Sequence, residues 1–251
     1  MIHLSRTLLC LGHLDEARLR RDEALAEAQR LSPFMRAFAL RQAWYGDWAI
    51  EGASSAETML LSAKEVEAVS NEHGFRDPLA IGNLMHGWCL GNLGQAAEGI
   101  PLLVQGLTVC RAGGRNLMIP FFLTTLAEAY GMAAQPQEGL DRLAEAAKLV
   151  ETTHERWAEA EMHRLRGTLL QSMNEHAAAE NSYRRALEVA QRQSARFWEL
   201  RAALSLARLW RDQGKRTEAR DLLSPIYGWF TEGFDTRDLK EAKALLVDLA
   251  Q

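Results

Sequence analysis

The chain repeats itself about every forty residues, and this restricts its fold more than any other feature. Leu11-Gly12-His13-Leu14-Asp15-Glu16-Ala17 reads as a helix end, a turn and a helix start. Related stretches follow at Leu93 to Gly99, Ala133 to Gly139 and Gln213 to Ala219. Taking the turn position as landmark gives Gly12, Glu51, Gly94, Ala134, Asn174 and Gly214. Five residues on stand Ala17, Ala56, Gly99, Gly139, Ala179 and Ala219; twelve on stand Ala24, Ala63, Gly106, Ala146, Ala186 and Ile226. Eleven of these twelve are Ala or Gly, far above their 56 in 251 residues, so the repeat is built on small side chains.

Positions five and twelve lie two helical turns apart, on one face of a helix. Small residues there admit a second helix closely. Nine residues after the landmark come Arg21, Leu60, Leu103, Leu143, Tyr183 and Leu223, mostly large knobs. Seven before it come Ser5, Trp44, Gly87, Ala127, Gly167 and Ala207, and four before it Leu8, Asp47, Leu90, Tyr130, Leu170 and Trp210. Each unit is therefore a helical hairpin with small-into-large packing. One hairpin cannot bury its own faces, so the hairpins must stack. Composition agrees: 38 Ala and 38 Leu stand against only 13 Val plus Ile, too few β-branched residues for a sizeable sheet. That excludes most nucleotide-binding and hydrolase folds.

The expected architecture is all-α: a right-handed superhelical solenoid of about six hairpins, period about forty, closed by a C-terminal capping helix. The chain reads as one domain over 1–251, with repeats near 1–32, 33–75, 76–115, 116–154, 155–194 and 195–233 and a cap over 236–250. Ser32-Pro33 and Asp77-Pro78 read as an N-cap followed by Pro at the first helical position; Pro136 opens a helix, and Pro101 falls inside one. In the closing helix Leu239, Ala242, Leu246 and Leu249 share one side, with Lys240, Glu241, Lys243 and Asp248 opposite. The first hairpin has no such cap, so an exposed apolar N-terminal edge is expected there, and with it a longer parent protein or an association through that end.

The pattern resembles the tetratricopeptide repeat, whose small and large residues fall at these offsets but whose usual period is about 34 residues. A more specific resemblance rests on Glu155 to Gly167, Trp198 to Trp210 and Tyr227 to Thr236. These stretches resemble the C-terminal repeat region of large bacterial signalling proteins. Such proteins join a cyclase-like or DNA-binding output domain and a regulatory ATPase to tetratricopeptide-type repeats. The resemblance implies a sensing or partner-binding arm, with an ATPase, cyclase-like or DNA-binding part fused or associated on its N-terminal side. No GxxxxGK[ST] phosphate loop is present in this chain.

By analogy with the shorter repeat, the first helix of each hairpin lines a concave wall. Its inner residues then lie six, ten and thirteen positions before each landmark. These are Trp88, Leu84 and Ile81; Glu128, Thr124 and Phe121; Thr168, Arg164 and Glu161; Arg208, Leu204 and Arg201; and, in the second repeat, Tyr45 and Arg41. The candidate binding residues are Arg41, Tyr45, Trp88, Phe121, Glu128, Arg164, Thr168, Arg201 and Arg208. Such a groove suits a protein or peptide ligand with an apolar part and an acidic part, or a small anionic effector. Core packing is the competing reading for the aromatic residues.

No catalytic residue, metal site or cofactor is expected. His154-Glu155 lacks the second histidine of HExxH, and neither GxSxG nor GxGxxG occurs. Cys10, Cys89 and Cys110 form no CxxC pair, which fits reduced thiols in a cytoplasmic protein. No signal-peptide pattern or 18-residue apolar run points to a membrane. Net charge is −4, which does not call for nucleic acid. Arg184 to Arg220 nonetheless holds ten basic residues against four acidic ones, so a nucleic-acid-binding repeat is kept as an alternative.

Overall fold

The computed structural model describes residues 1–251. It contains thirteen α-helices and no strand. They are α1 (Ile2–Leu11), α2 (Leu14–Ala28), α3 (Pro33–Ile50), α4 (Ala56–His73), α5 (Arg76–Asn92), α6 (Ala96–Ala112), α7 (Ile119–Met132), α8 (Pro136–Thr153), α9 (Glu159–Ser172), α10 (His176–Arg192), α11 (Arg196–Asp212), α12 (Arg216–Gly228) and α13 (Arg237–Leu249). A single 3-10 turn, Gly52–Ser55, separates α3 from α4.

What divides the chain is a row of left-handed residues. Gly74, Gly94, Gly114, Ala134, His154, Asn174, Ser194 and Gly214 all have positive φ, and each lies twenty residues after the last. At seven of these eight turns the next N–H donates to the carbonyl five residues back, as in Gln95 to Leu90 and Lys215 to Trp210, at 2.8–3.0 Å. This bond satisfies a helix-end carbonyl and stops the helix. A left-handed alanine costs about 1–2 kcal/mol through its Cβ. Ala134→Gly should therefore stabilise the protein by about 1 kcal/mol, after the extra freedom glycine has when unfolded. A urea midpoint that falls would contradict this.

The second repeat departs from the expected register. Its left-handed residue is Gly52, not Glu51, and Gly52 opens the 3-10 turn. Its second helix keeps the pattern, since Ala56 and Ala63 are buried. Proline placement is largely as read. Ser32 caps α3, accepting from the Met35 N–H at 3.4 Å, and Pro136 opens α8. However, α5 begins at Arg76, so Asp77 and Pro78 lie within its first turn. Pro101 sits inside α6, which runs on unbroken.

The chain forms two compact units. The first comprises Met1–Arg6 and Glu16–Glu155; the second comprises Thr7–Asp15 and Arg156–Gln251. In the first unit α5 and α6 meet backbone to backbone. A Cβ added at Gly99 would lie 2.3 Å from the Gly87 carbonyl oxygen, and one at Gly106 2.6 Å from that of Ala80. In the second unit a Cβ at Gly167 would lie 2.5 Å from the Tyr183 ring, the small-into-large contact of the repeat. Helix α13 closes this unit with Leu239, Ala242, Leu245 and Leu249 buried and Lys240 and Lys243 exposed. Leu245 takes the place expected of the half-buried Leu246.

The Thr7–Asp15 segment also packs inside the second unit. Gly12 is left-handed and lies so close to Trp229 that a Cβ would come within 2.6 Å of that ring. The Asp15 carboxylate accepts from the Gly233 N–H at 3.2 Å, and the Arg196 guanidinium lies 5.4 Å from the Trp229 ring centre. Leu9 and Leu14 are thus fully buried, whereas Leu4, Leu11 and Leu19 remain exposed.

Candidate functional site

The first helices of the hairpins carry the residues singled out from the sequence. In the first unit these are α3, α5 and α7. Tyr45, Trp88 and Phe121 are each only 1% exposed. They form one aromatic cluster with Trp44 and Trp48. Ring centres lie 5.3 Å apart for Tyr45 and Phe121, 5.4 Å for Trp44 and Trp88, and 4.8 Å for Trp48 and Phe121, all edge to face. Such pairs add about 0.5–1.5 kcal/mol beyond their burial. These rings therefore make core, and none offers a face to solvent. Burial pushes the Tyr45 phenol upward despite the nearby Arg41, and raises the Cys89 thiol to about 12. Neither group ionises at neutral pH.

At the rim of this cluster the Trp88 Nε1–H donates to Glu128 Oε2 at 2.6 Å, and Glu128 is half-buried. The two residues occupy the same position in successive repeats. Arg41 is nine-tenths buried, lies 4.9 Å from the Phe38 ring centre and reaches Asp77 at 3.5 Å.

In the second unit the site residues are charged and paired. Arg164 donates to both Glu161 carboxylate oxygens from Nε and Nη2, each at 2.7 Å, and from Nη1 to Thr168 at 3.4 Å. Arg201, 8% exposed, lies 3.1 Å from Glu161 and 3.6 Å from Asp238. Arg208 reaches Glu241 at 2.7 Å. Burial alone would raise the Glu161 carboxyl, but Arg164 and Arg201 outweigh it and hold it below the usual carboxylate range. Thr168 is exposed, and Arg208 is accessible over two-fifths of its side chain. The structure thus brings Arg164 and Arg201 together on Glu161, with Thr168 against Arg164, and Tyr45, Trp88 and Phe121 together in a core. Arg41 joins neither set.

Sequence reasoning placed Glu161 on the inner wall but missed the ion ladder it forms with Arg201 and Asp238. Glu161, Arg201 and Glu241 sit at forty-residue intervals with alternating sign, a signal the repeat made available. It also missed a compensation in the first unit. Arg21 and Asp47 stand where other repeats place large apolar knobs, and they bind each other. Beside them a cleft of about 350 Å³ is lined by Asp22, Glu51, Thr58 and Ser62 among others, and Arg18 reaches Glu51 at 2.5 Å. A smaller cleft of about 120 Å³ follows along Leu25, Leu40 and the Arg36–Glu65 pair.

The basic run also changes character. Of its ten cations, eight pair with carboxylates, for example Arg184 with Glu180 and Arg196 with Glu199. No group of three metal-ligating side chains is present, and no helix is long and apolar enough to cross a membrane.

No family model matches the chain, and no curated protein sequence matches it. Solved structures match in fold. The apo form of RapI has 12% identity and a TM-score of 0.63, covering 98% of this chain and 83% of that one. A Rap protein complexed with Competence and Sporulation Factor has 11% identity and a TM-score of 0.64, covering 93% and 69%. A signal-transduction ATPase of the STAND class with a tetratricopeptide repeat sensor, from Pyrococcus horikoshii, has 10% identity and a TM-score of 0.54. That match covers 99% of this chain and 41% of the other. The fold is therefore that of tetratricopeptide-type helical repeats.

Proposed function

We propose that this chain is a non-enzymatic protein- or peptide-binding repeat module, acting as a regulatory or sensing arm in bacterial signalling, in the cytoplasm. One observation carries the reading: the inner positions of α9 and α11 hold Arg164, Thr168 and Arg208 in fixed, partly accessible geometry. Rigid, pre-oriented guanidinium groups suit an acidic ligand, because less side-chain freedom is lost on binding. The Rap complex supports this by fold, since that protein was seen with a bound factor. The STAND protein supports the signalling context, since its repeats are described as a sensor on an ATPase.

In this reading Arg164, Thr168 and Arg208, all in the second unit, touch the ligand. Arg201 holds the helices that present them, whereas Arg41, Tyr45, Trp88 and Phe121 brace the helices of the first unit. The test is affinity capture of partners by the whole chain and by Arg164→Ala/Arg208→Ala. Removing two guanidinium contacts should weaken an acidic partner about tenfold or more. Equal capture by the two proteins would count against this placement. A small anionic effector is the second reading, favoured by the same arginines; a metabolite retained in native mass spectrometry would select it.

A further inference from the structure

A third cleft, of about 400 Å³, lies in the first unit where the end of α6 and the loop after it meet α8. Its walls carry Arg111, Arg115 and Lys148 against one carboxylate, Glu145, over an apolar floor of Ile119 and Leu149. The other two clefts differ: the larger is acid-rich, with Asp22, Asp47 and Glu51 facing Arg21, and the smaller is balanced between Arg36 and Glu65. A cation-rich cleft is thus a local departure in a chain of net charge −4.

The cleft is rigidly framed. Gly114 and Met118 are both left-handed, and the Met118 N–H donates to Glu155 Oε2 at 2.6 Å. Arg115 uses two of its guanidinium N–H groups on Asp77, at 2.8 and 2.5 Å, and its remaining N–H groups are left for a ligand. Arg111 reaches Glu145 at 2.6 Å across the opening. Both of those side chains are partly exposed, Lys148 is exposed, and Leu117 beside the cleft is 64% exposed.

We propose that this cleft docks an acidic, leucine-type apolar segment of a partner protein. Carboxylates of the segment would meet Arg111 and Lys148, and an apolar side chain would cover Ile119, Leu149 and Leu117. Such a segment matches both the sign of the walls and the apolar floor. A small molecule fits less well, because pockets for small molecules bury most of their ligand and this opening does not. The inference rests on the protein-binding reading above but uses a different surface of the fold.

The probe is a fluorescein-labelled peptide of alternating Glu and Leu, with an alternating Lys and Leu peptide as counterpart, titrated by anisotropy against the whole chain. Saturable binding of the acidic peptide is expected, weakening between low and high salt. Arg111→Ala/Lys148→Ala should weaken it about five- to tenfold. Arg220→Ala, an exposed cation outside the cleft, should leave it unchanged. Absence of saturable binding, equal binding of the basic peptide, or unchanged affinity in Arg111→Ala/Lys148→Ala overturns the proposal. If Arg164→Ala/Arg208→Ala alone abolishes peptide binding, the protein-binding reading stands and this surface falls.

Discussion

Gly99→Ala is expected to destabilise the α5–α6 pair by about 2 kcal/mol, although alanine is the better helix former. Two effects oppose each other. Glycine to alanine inside a helix gains about 1 kcal/mol of propensity. Against this, the new methyl would sit 2.3 Å from the Gly87 carbonyl oxygen. That neighbour is backbone, which cannot rotate away, so the helices must separate, at about 3 kcal/mol for overpacking. Gly46→Ala is the matched control. Gly46 also lies in a helix interior, but nothing stands within 4 Å of its added Cβ. There the propensity gain acts alone, and stability should rise by about 0.5–1 kcal/mol. Chemical denaturation, with hydrogen exchange of α5 and α6, reads both. Two variants that shift the same way would refute the close-contact account of the repeat.

The second large effect is expected at the buried ion ladder. Arg201→Ala leaves Glu161 and Asp238, both nearly fully buried, short of a cation. Removing one partner of a buried pair costs about 3–5 kcal/mol, because the remaining charge stays desolvated. The loss should depend on pH, and its sign follows from Glu161. Its folded pKa lies below the unfolded value of 4.5. The carboxylate therefore contributes stability above that pH and loses it as pH falls through the folded pKa. Wild type should weaken on acidification below about pH 4.5, while Glu161→Gln should show a shallower decline there. Parallel acid profiles for the two proteins would show that Glu161 does not carry this dependence.

Much of the fold was legible because its signals are local. Ala17, Ala179 and Ala219 fall at one offset from the turn and are all buried, and Gly94, Asn174 and Gly214 mark left-handed turns as their types suggest. The second repeat misled by one residue, because Glu51 and Gly52 both stand at the turn and only backbone conformation separates them. The candidate site was less legible. Arg164 and Arg201 occupy inner positions in the same sense, yet one is partly accessible and the other is enclosed between two carboxylates.

The sequence alone determined the helices, their forty-residue repeat and the faces that approach closely. Chain stiffness, small residues at fixed offsets and left-handed turns act within a few residues of where they are written. Only the tertiary structure decided which inner side chains face solvent. Trp88 and Phe121 are covered by Trp44, Tyr45 and Trp48 of another helix, and Arg201 is neutralised by Glu161 and Asp238, about forty residues away on either side. Burial and ion pairing depend on what a neighbouring helix brings to the contact, and a single helix does not encode that.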